Sequence, residues 1–270
     1  MLKRALLPIL LALALPAAAA ERAAPPDPTQ DPLLITAGFL THHPDMKYRL
    51  LGMEAYREQR YEDAFRYFRR ASFYADKPSQ GMVAEMYWNG EGVAQDRALA
   101  YAWMDLAAER GYAGFLGLRE RYWNALSAQE RERALREGQA IYARFGDAAA
   151  KPRYEFQLRD GRRKMTGSRT GFNRGVQIHI PGPAGGQSIE GSKYYDERYW
   201  DAEKYWAWHD QIWAKPRIGR VEVGEIETLP AAPPQSDSRI PAVRPQIDAP
   251  EPDAPEAPAV PASALTPPPG

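Results

Sequence analysis

The chain has 270 residues, a length that accommodates one or two domains. Its 35 basic and 35 acidic side chains cancel, so global charge gives no reason to expect nucleic acid as a partner. It contains no cysteine, which excludes disulfides, zinc–thiolate sites, thiol catalysis and a lipid-modified N-terminal cysteine.

Residues 1–20 follow the three-part plan of a secretory signal. Lys3 and Arg4 supply the positive start, Leu6 to Leu15 the apolar run and Ala17 to Ala20 the small residues a signal peptidase accepts. The apolar run is short of the ~20 residues of a membrane span. The expectation is a periplasmic or secreted protein with no stable membrane span once the signal is cleaved. Residues 21–44 are read as a linker, rich in Ala, Pro and Asp at first. Leu33 to Leu40 is apolar enough to dock as a short helix.

From 45 to 147 the apolar residues recur with helical period, and the segment repeats itself. In YEDAFRYFRRAS (61–72) and RALAYAWMDLAA (97–108), Ala64, Tyr67 and Ala71 fall on Ala100, Trp103 and Ala107 at one offset. The Ala-x-x-aromatic-x-x-x-Ala spacing sets all three side chains on one helical face, where the ring fills space the alanines leave open. Gly90 and Gly92 suit the reversing turn, and Asp96 is placed to cap the next helix. Ser127 and Glu130 form an S-x-x-E capping box. Six helices are predicted, at about 45–57, 61–74, 78–89, 95–109, 112–124 and 127–145.

The stretch GMVAEMYWNGEGVAQDRALAYAWMDLAAERGYA resembles a Sel1-like repeat, a relative of the tetratricopeptide repeat, through Tyr87, Gly90, Gly92, Val93, Asp96, Ala100, Trp103, Ala107, Ala108 and Gly111. The preceding unit is similar to the plain tetratricopeptide form through Gly52, Tyr56, Tyr61, Ala64, Phe68, Ala71 and Pro78. The third unit, from Gly111, carries a charged outer face of the kind a solenoid end requires. The resemblance implies a short α-solenoid of about three helical hairpins. It implies a concave face, lined by the first helix of each pair, that holds a protein or peptide. Tyr56, Glu85, Trp88 and Arg119 are the partner-binding candidates on those helices.

Beyond a boundary placed near 148–152, residues 151–229 read as a small α+β module rich in aromatics. RYEFQLRDGRRKMTGSRTGFNRG (153–175) concentrates basic residues and is read as a solvated loop or hairpin; TGSRTG lacks the Walker spacing. VQIHI (176–180) alternates as a strand, PGPAGGQSIEGS (181–192) is a flexible loop, and GRVEVGEIETL (219–229) is the expected partner strand. Four of the seven tryptophans lie within 193–213, too many for one narrow helical face. They either seal the helix, with Tyr199, Ala202, Trp206, His209 and Trp213 in one stripe, or form a binding platform. The second use, with Arg162, Arg163, Lys164, Trp206 and Trp208, fits peptidoglycan or an acidic glycan. The tail, 230–270, is rich in Pro and Ala and is expected to be disordered or extended.

No catalytic set is apparent. His42 and His43 lack a carboxylate cluster at metal spacing, and His179 with His209 would have to meet in space to form a cryptic hydrolase. The chain is therefore expected to be a mainly α, non-enzymatic scaffold without cofactor or metal.

Overall fold

The computed structural model describes residues 32–36, 38–165, 177–180, 186–214 and 237–252. The expected signal, residues 21–31 of the linker, TGSRTG and the strand at 219–229 lie outside them. The described residues are mainly helical. Helices α1 (Pro32–Thr36), α2 (Pro44–Arg57), α3 (Tyr61–Ser72), α4 (Lys77–Asn89), α5 (Arg97–Ala107), α6 (Ala113–Ala125), α7 (Ala128–Phe145) and α8 (Asp147–Met165) come first. A hairpin of β1 (Gln177–Ile180) and β2 (Gln187–Glu190) follows, then α9 (Gly191–Tyr194), α10 (Glu197–Trp200) and α11 (Ala202–Trp213).

Local chemistry sets the bounds of α2 to α7. Asp76 accepts from the Ser79 amide and Asp96 from the Leu99 amide, each satisfying a free donor at a helix start. The Ser127–Glu130 capping box is formed in both directions. Gly90 ends α4 in the left-handed region at φ 77°. Gly92, at φ 67°, lies so close to the start of α3 that a Cβ there would stand 2.3 Å from the Tyr61 carbonyl.

From α2 to α6 each helix packs on the next, while α7 packs on α5 and α8 rather than on α6. Helix α5 is the centre, with all but its first and third residues buried. The positions equated by the internal repeat are equally enclosed. Ala64, Ala71, Ala100 and Ala107 are inaccessible, Tyr67 stacks near Tyr48, and Trp103 lies 4.7 Å from the Phe145 ring.

A polar knot joins elements far apart in sequence. Lys77, only 1% exposed, reaches Glu109 (2.6 Å), Asp147 (3.1 Å), the Leu106 carbonyl (3.0 Å) and Gln80 (3.1 Å). Arg110 clasps Asp147 with two bonds, of 2.7 and 3.0 Å, and the Asp147 amide donates to Glu109. These contacts hold the Asp147 carboxyl well below the usual carboxylate range, against the opposing effect of burial.

Three expectations are corrected here. First, residues 148–152 are not a break between elements: α8 runs through them, anchored by Asp147 and carrying Pro152 past its first turn, with Tyr154 and Leu158 buried. Second, Arg162, Arg163 and Lys164 lie in the last turn of that helix rather than in a loop, where basic groups suit its dipole. Third, part of the expected flexible loop is strand: among the described residues β1 pairs with β2 in antiparallel register, Ile178 opposite Ile189. The apolar end of the linker docks as its sequence suggested: α1 forms there, and Leu34, Ile35, Phe39, Leu40 and His43 are buried.

Trp103→Ala is expected to cost about 3–5 kcal/mol, the range for emptying a buried aromatic site. Urea unfolding followed by circular dichroism measures it, and an unchanged midpoint would contradict the core position.

Candidate binding surfaces

The first-helix side carries a groove of about 350 Å³. Leu50 and Met53 of α2, Gly81, Met82 and Glu85 of α4 and Phe115 of α6 line it, and Trp213 of α11 stands at its edge with its ring facing Phe115. Tyr112 donates to Asp210 at 2.5 Å, tying α11 to the start of α6. Glu85 is the one carboxylate in the lining, and burial pushes its pKa up.

Of the four residues expected to meet a partner, only Glu85 lines this groove. Tyr56 donates to Glu91 in the α4–α5 turn at 2.8 Å. Trp88 stacks on Tyr122 at 4.1 Å, with the Arg97 guanidinium 4.8 Å from its ring. Both rings hold neighbouring helices together. Arg119 is 1% exposed and lies under the C-terminal tail, donating to the Asp237 carbonyl at 3.3 Å.

That tail contact is a further correction. Residues 237–252, expected to be disordered or extended in solution, lie across α3, α5, α6, α7 and α8. Ser238 donates to Asp105, Arg239 forms a fork on Glu120, and Ile240 is buried beside Gly138. Further along, the Gln246 amide donates to the Ala143 carbonyl at 2.7 Å, and Arg70 grips Glu251 with bonds of 2.6 and 2.9 Å. A Pro/Ala composition hides these contacts. The signal available was local: a Ser-Arg-Ile triplet in a bland stretch, and an interior helical glycine at 138.

Of the two uses read for the tryptophans, sealing or a polymer-binding platform, the structure favours sealing: Trp206 and Trp208 are 8% and 2% exposed, and the platform is not formed. Helix α11 starts at Ala202 under an Asp201 cap, which turns Tyr205, Trp208 and His209 inward. Trp206 covers the polar knot, 4.8 Å from the Arg110 guanidinium and 5.3 Å from the Lys151 ammonium, and 5.4 Å from Tyr154. Trp208 meets Tyr199, Tyr205 and His209. The basic residues are exposed. Phe156, 57% exposed, and Arg159, Arg162 and Arg163 line a shallow concavity of about 490 Å³, while Asp160 pairs with Arg163 and Lys164.

The histidines do not form one site. His179 is exposed on β1, and His209 is buried against Tyr205 and Trp208. Phe39 and His43 stack at 3.8 Å and plug the aromatic segment, with Trp200 and Tyr199 edge-on to Phe39. His43 Nδ1 lies 2.9 Å from the Phe39 carbonyl and Nε2 2.8 Å from that of Tyr199. Among the described residues, no group of three His, Asp or Glu is arranged to hold a metal ion.

Beside this plug, Asp45 accepts from Tyr205 inside the protein. Burial, followed by the Asp76 charge, pushes its carboxyl up to about 7. The folded chain therefore holds this proton more tightly than the unfolded chain. The stability it adds is complete below the ordinary carboxyl value of 3.8 and is lost as pH rises through about 7. His43 and His209 act in the opposite sense: burial holds His43 down to about 4 and His209 well below 6.5. Their contribution is present above 6.5 and is lost as the medium acidifies. Asp45→Asn removes the first effect and leaves the second. Urea midpoints between pH ~4.5 and ~6.5 are expected to show wild-type stability falling relative to the variant as pH rises, by at most about 1.4 kcal/mol per unit. A pH-independent difference would refute the assignment.

Compared with known proteins, the chain matches no family model, no curated protein and no solved structure.

Proposed function

We propose that the protein is an exported, non-enzymatic adaptor that holds a protein or peptide in the groove between α2, α4 and α6. In this reading α2 to α7 are three stacked hairpins of a short Sel1-like solenoid. The observation that carries it is the groove itself: an apolar floor of Leu50, Met53, Met82 and Phe115, with one acid, Glu85, at its side. Met53 is 40% exposed, a large flexible apolar side chain of the kind that adapts to a bound chain. The half-buried Glu85, with Arg121 as its nearby counter-charge and Arg49 in the same lining, would add a pair with a basic residue of the partner. The signal-like residues 1–20 support export to the periplasm or beyond.

A second reading, binding of an anionic envelope polymer, is supported by the exposed Phe156 flanked by Arg159, Arg162 and Arg163 on one face of α8. Pull-down on purified cell wall at low and high salt distinguishes it, since contacts of exposed charges weaken with ionic strength. Absence of binding at both salts removes this reading.

A photo-crosslinking residue at Met53 is expected to give a discrete adduct in intact cells, and the same residue at the exposed Glu132 none. Adding Glu85→Arg is expected to weaken the Met53 adduct at least five-fold, the equivalent of about 1 kcal/mol. Identical adducts from both positions, or none from Met53, would overturn the groove reading.

A further inference from the structure

The C-terminal tail is gripped in a manner that packing alone does not demand. Three consecutive side chains each meet a receiver of matching chemistry. The Ser238 hydroxyl donates to the Asp105 carboxylate. The Arg239 guanidinium places two bonds on Glu120, of 2.8 and 2.5 Å, and lies 4.9 Å from the Trp123 ring. Such a fork on a carboxylate, backed by an aromatic face, selects arginine over lysine. Ile240 enters a notch that exists because residue 138 is glycine: a Cβ there would stand 2.4 Å from its Cδ1.

The receivers are organised by the helices alone. Tyr101 and Tyr142 both donate to Asp105, Arg119 lies 3.7 Å from it, and Arg119 also donates to Glu120. Main-chain recognition continues the track. Arg119 donates to the Asp237 carbonyl, Arg153 to those of Gln246 and Ile247, and Arg144 to that of Pro250. Prolines at 241, 245, 250 and 252 restrict the free segment and reduce the entropy lost on docking, and a turn at 247–248 bends it over α7 and α8.

We infer that this track is a peptide-binding site for an extended, proline-flanked Ser-Arg-Ile sequence, and that residues 237–252 are its tethered ligand, which the site also accepts from a second copy of the chain. It is separate from the α2–α4–α6 groove and does not depend on that groove having a partner. Residues 215–236 connect α11 to the ligand, 22 residues by numbering. At ~3.3–3.6 Å per residue a stretch of this length spans at most about 70–80 Å. Covalent attachment makes docking of the tail intramolecular, so the tail fills its own site ahead of a free peptide of equal intrinsic affinity. A peptide from outside has to displace the tail, and its apparent affinity for the wild-type chain is reduced accordingly.

The test uses a fluorescent synthetic peptide of residues 237–252 and the full-length chain carrying Arg239→Glu and Ile240→Asp, which disable its own tail. Fluorescence polarisation is expected to show saturable binding at least ten-fold tighter than to the wild-type chain. The peptide carrying Arg239→Glu should bind this chain at least ten-fold more weakly, and Glu120→Arg in the chain should reverse that preference. Gly138→Leu should abolish binding with helicity retained. Equal binding of both peptides, or of neither, would overturn the inference. A second measurement needs no altered protein: hydrogen exchange of the tail in the wild-type chain. Excess peptide should raise deuterium uptake across residues 240–249, and a scrambled peptide should not. Uptake unchanged by the authentic peptide would also overturn it.

Discussion

The ammonium of Lys77 lies out of water between the carboxylates of Glu109 and Asp147, and the rest of the structure is arranged around that fact. An isolated buried charge is untenable, so its partners must be brought to it. Lys77 belongs to the start of α4, Glu109 and Arg110 to the turn after α5, and Asp147 to the first turn of α8. The knot therefore fixes where the second helical pair ends and where the C-terminal half begins. Gln80 adds to this by donating to the Phe145 carbonyl at the end of α7. Helix α11 then covers the knot, with Trp206 close to both Arg110 and Lys151. Cation–aromatic contacts shielded from water are stronger than exposed ones, so the aromatic cover and the charges beneath reinforce each other.

This arrangement explains why the two halves are not separate modules. The aromatic segment meets the N-terminal helices through Phe39, His43 and Asp45, and meets α8 through Tyr154. Its tryptophans are used as cover. The surfaces proposed for binding fall elsewhere: the groove between α2, α4 and α6, the basic face of α8, and the tail track over α5 to α7. Helix α6 borders both groove and track, through Phe115 on the one and Arg119 and Glu120 on the other.

The helices from 44 to 145 were legible because their signals are local. Alanines alternating with rings, Asp96 before a helix and the Ser127–Glu130 box each act within a few residues, and the observed ends differ from the expected ones by two residues or fewer. What was illegible depends on residues distant in sequence. Pro152 reads as a breaker, but Asp147 pins the helix start to Lys77 and Arg110, 70 and 37 positions away by numbering, and α8 continues past the proline. Whether Trp206 and Trp208 seal the helix or form a platform could not be read from the sequence, because the rings and charges that enclose them come from residues 110, 151, 154 and 199. The tail reads as disordered because composition averages over Ser238, Arg239 and Ile240, whose partners Asp105, Glu120 and Gly138 sit on three different helices. Arg119 was singled out as a binding residue and does touch a peptide segment, but it is buried outside the groove lining, and that segment is the chain's own tail.

The central claim is that the Lys77 knot couples the helical pairs to the C-terminal half as one cooperative structure. A double-mutant cycle tests it, using Lys77→Met, Asp147→Asn and their combination, with urea unfolding followed together by far-ultraviolet circular dichroism and tryptophan fluorescence. The expectation is a single cost of about 3–5 kcal/mol for Lys77→Met, a coupling of about 0.5–3 kcal/mol between the two sites, and coincident transitions by both probes. Additive effects, with the fluorescence transition separating from the helical one in wild type, would contradict it.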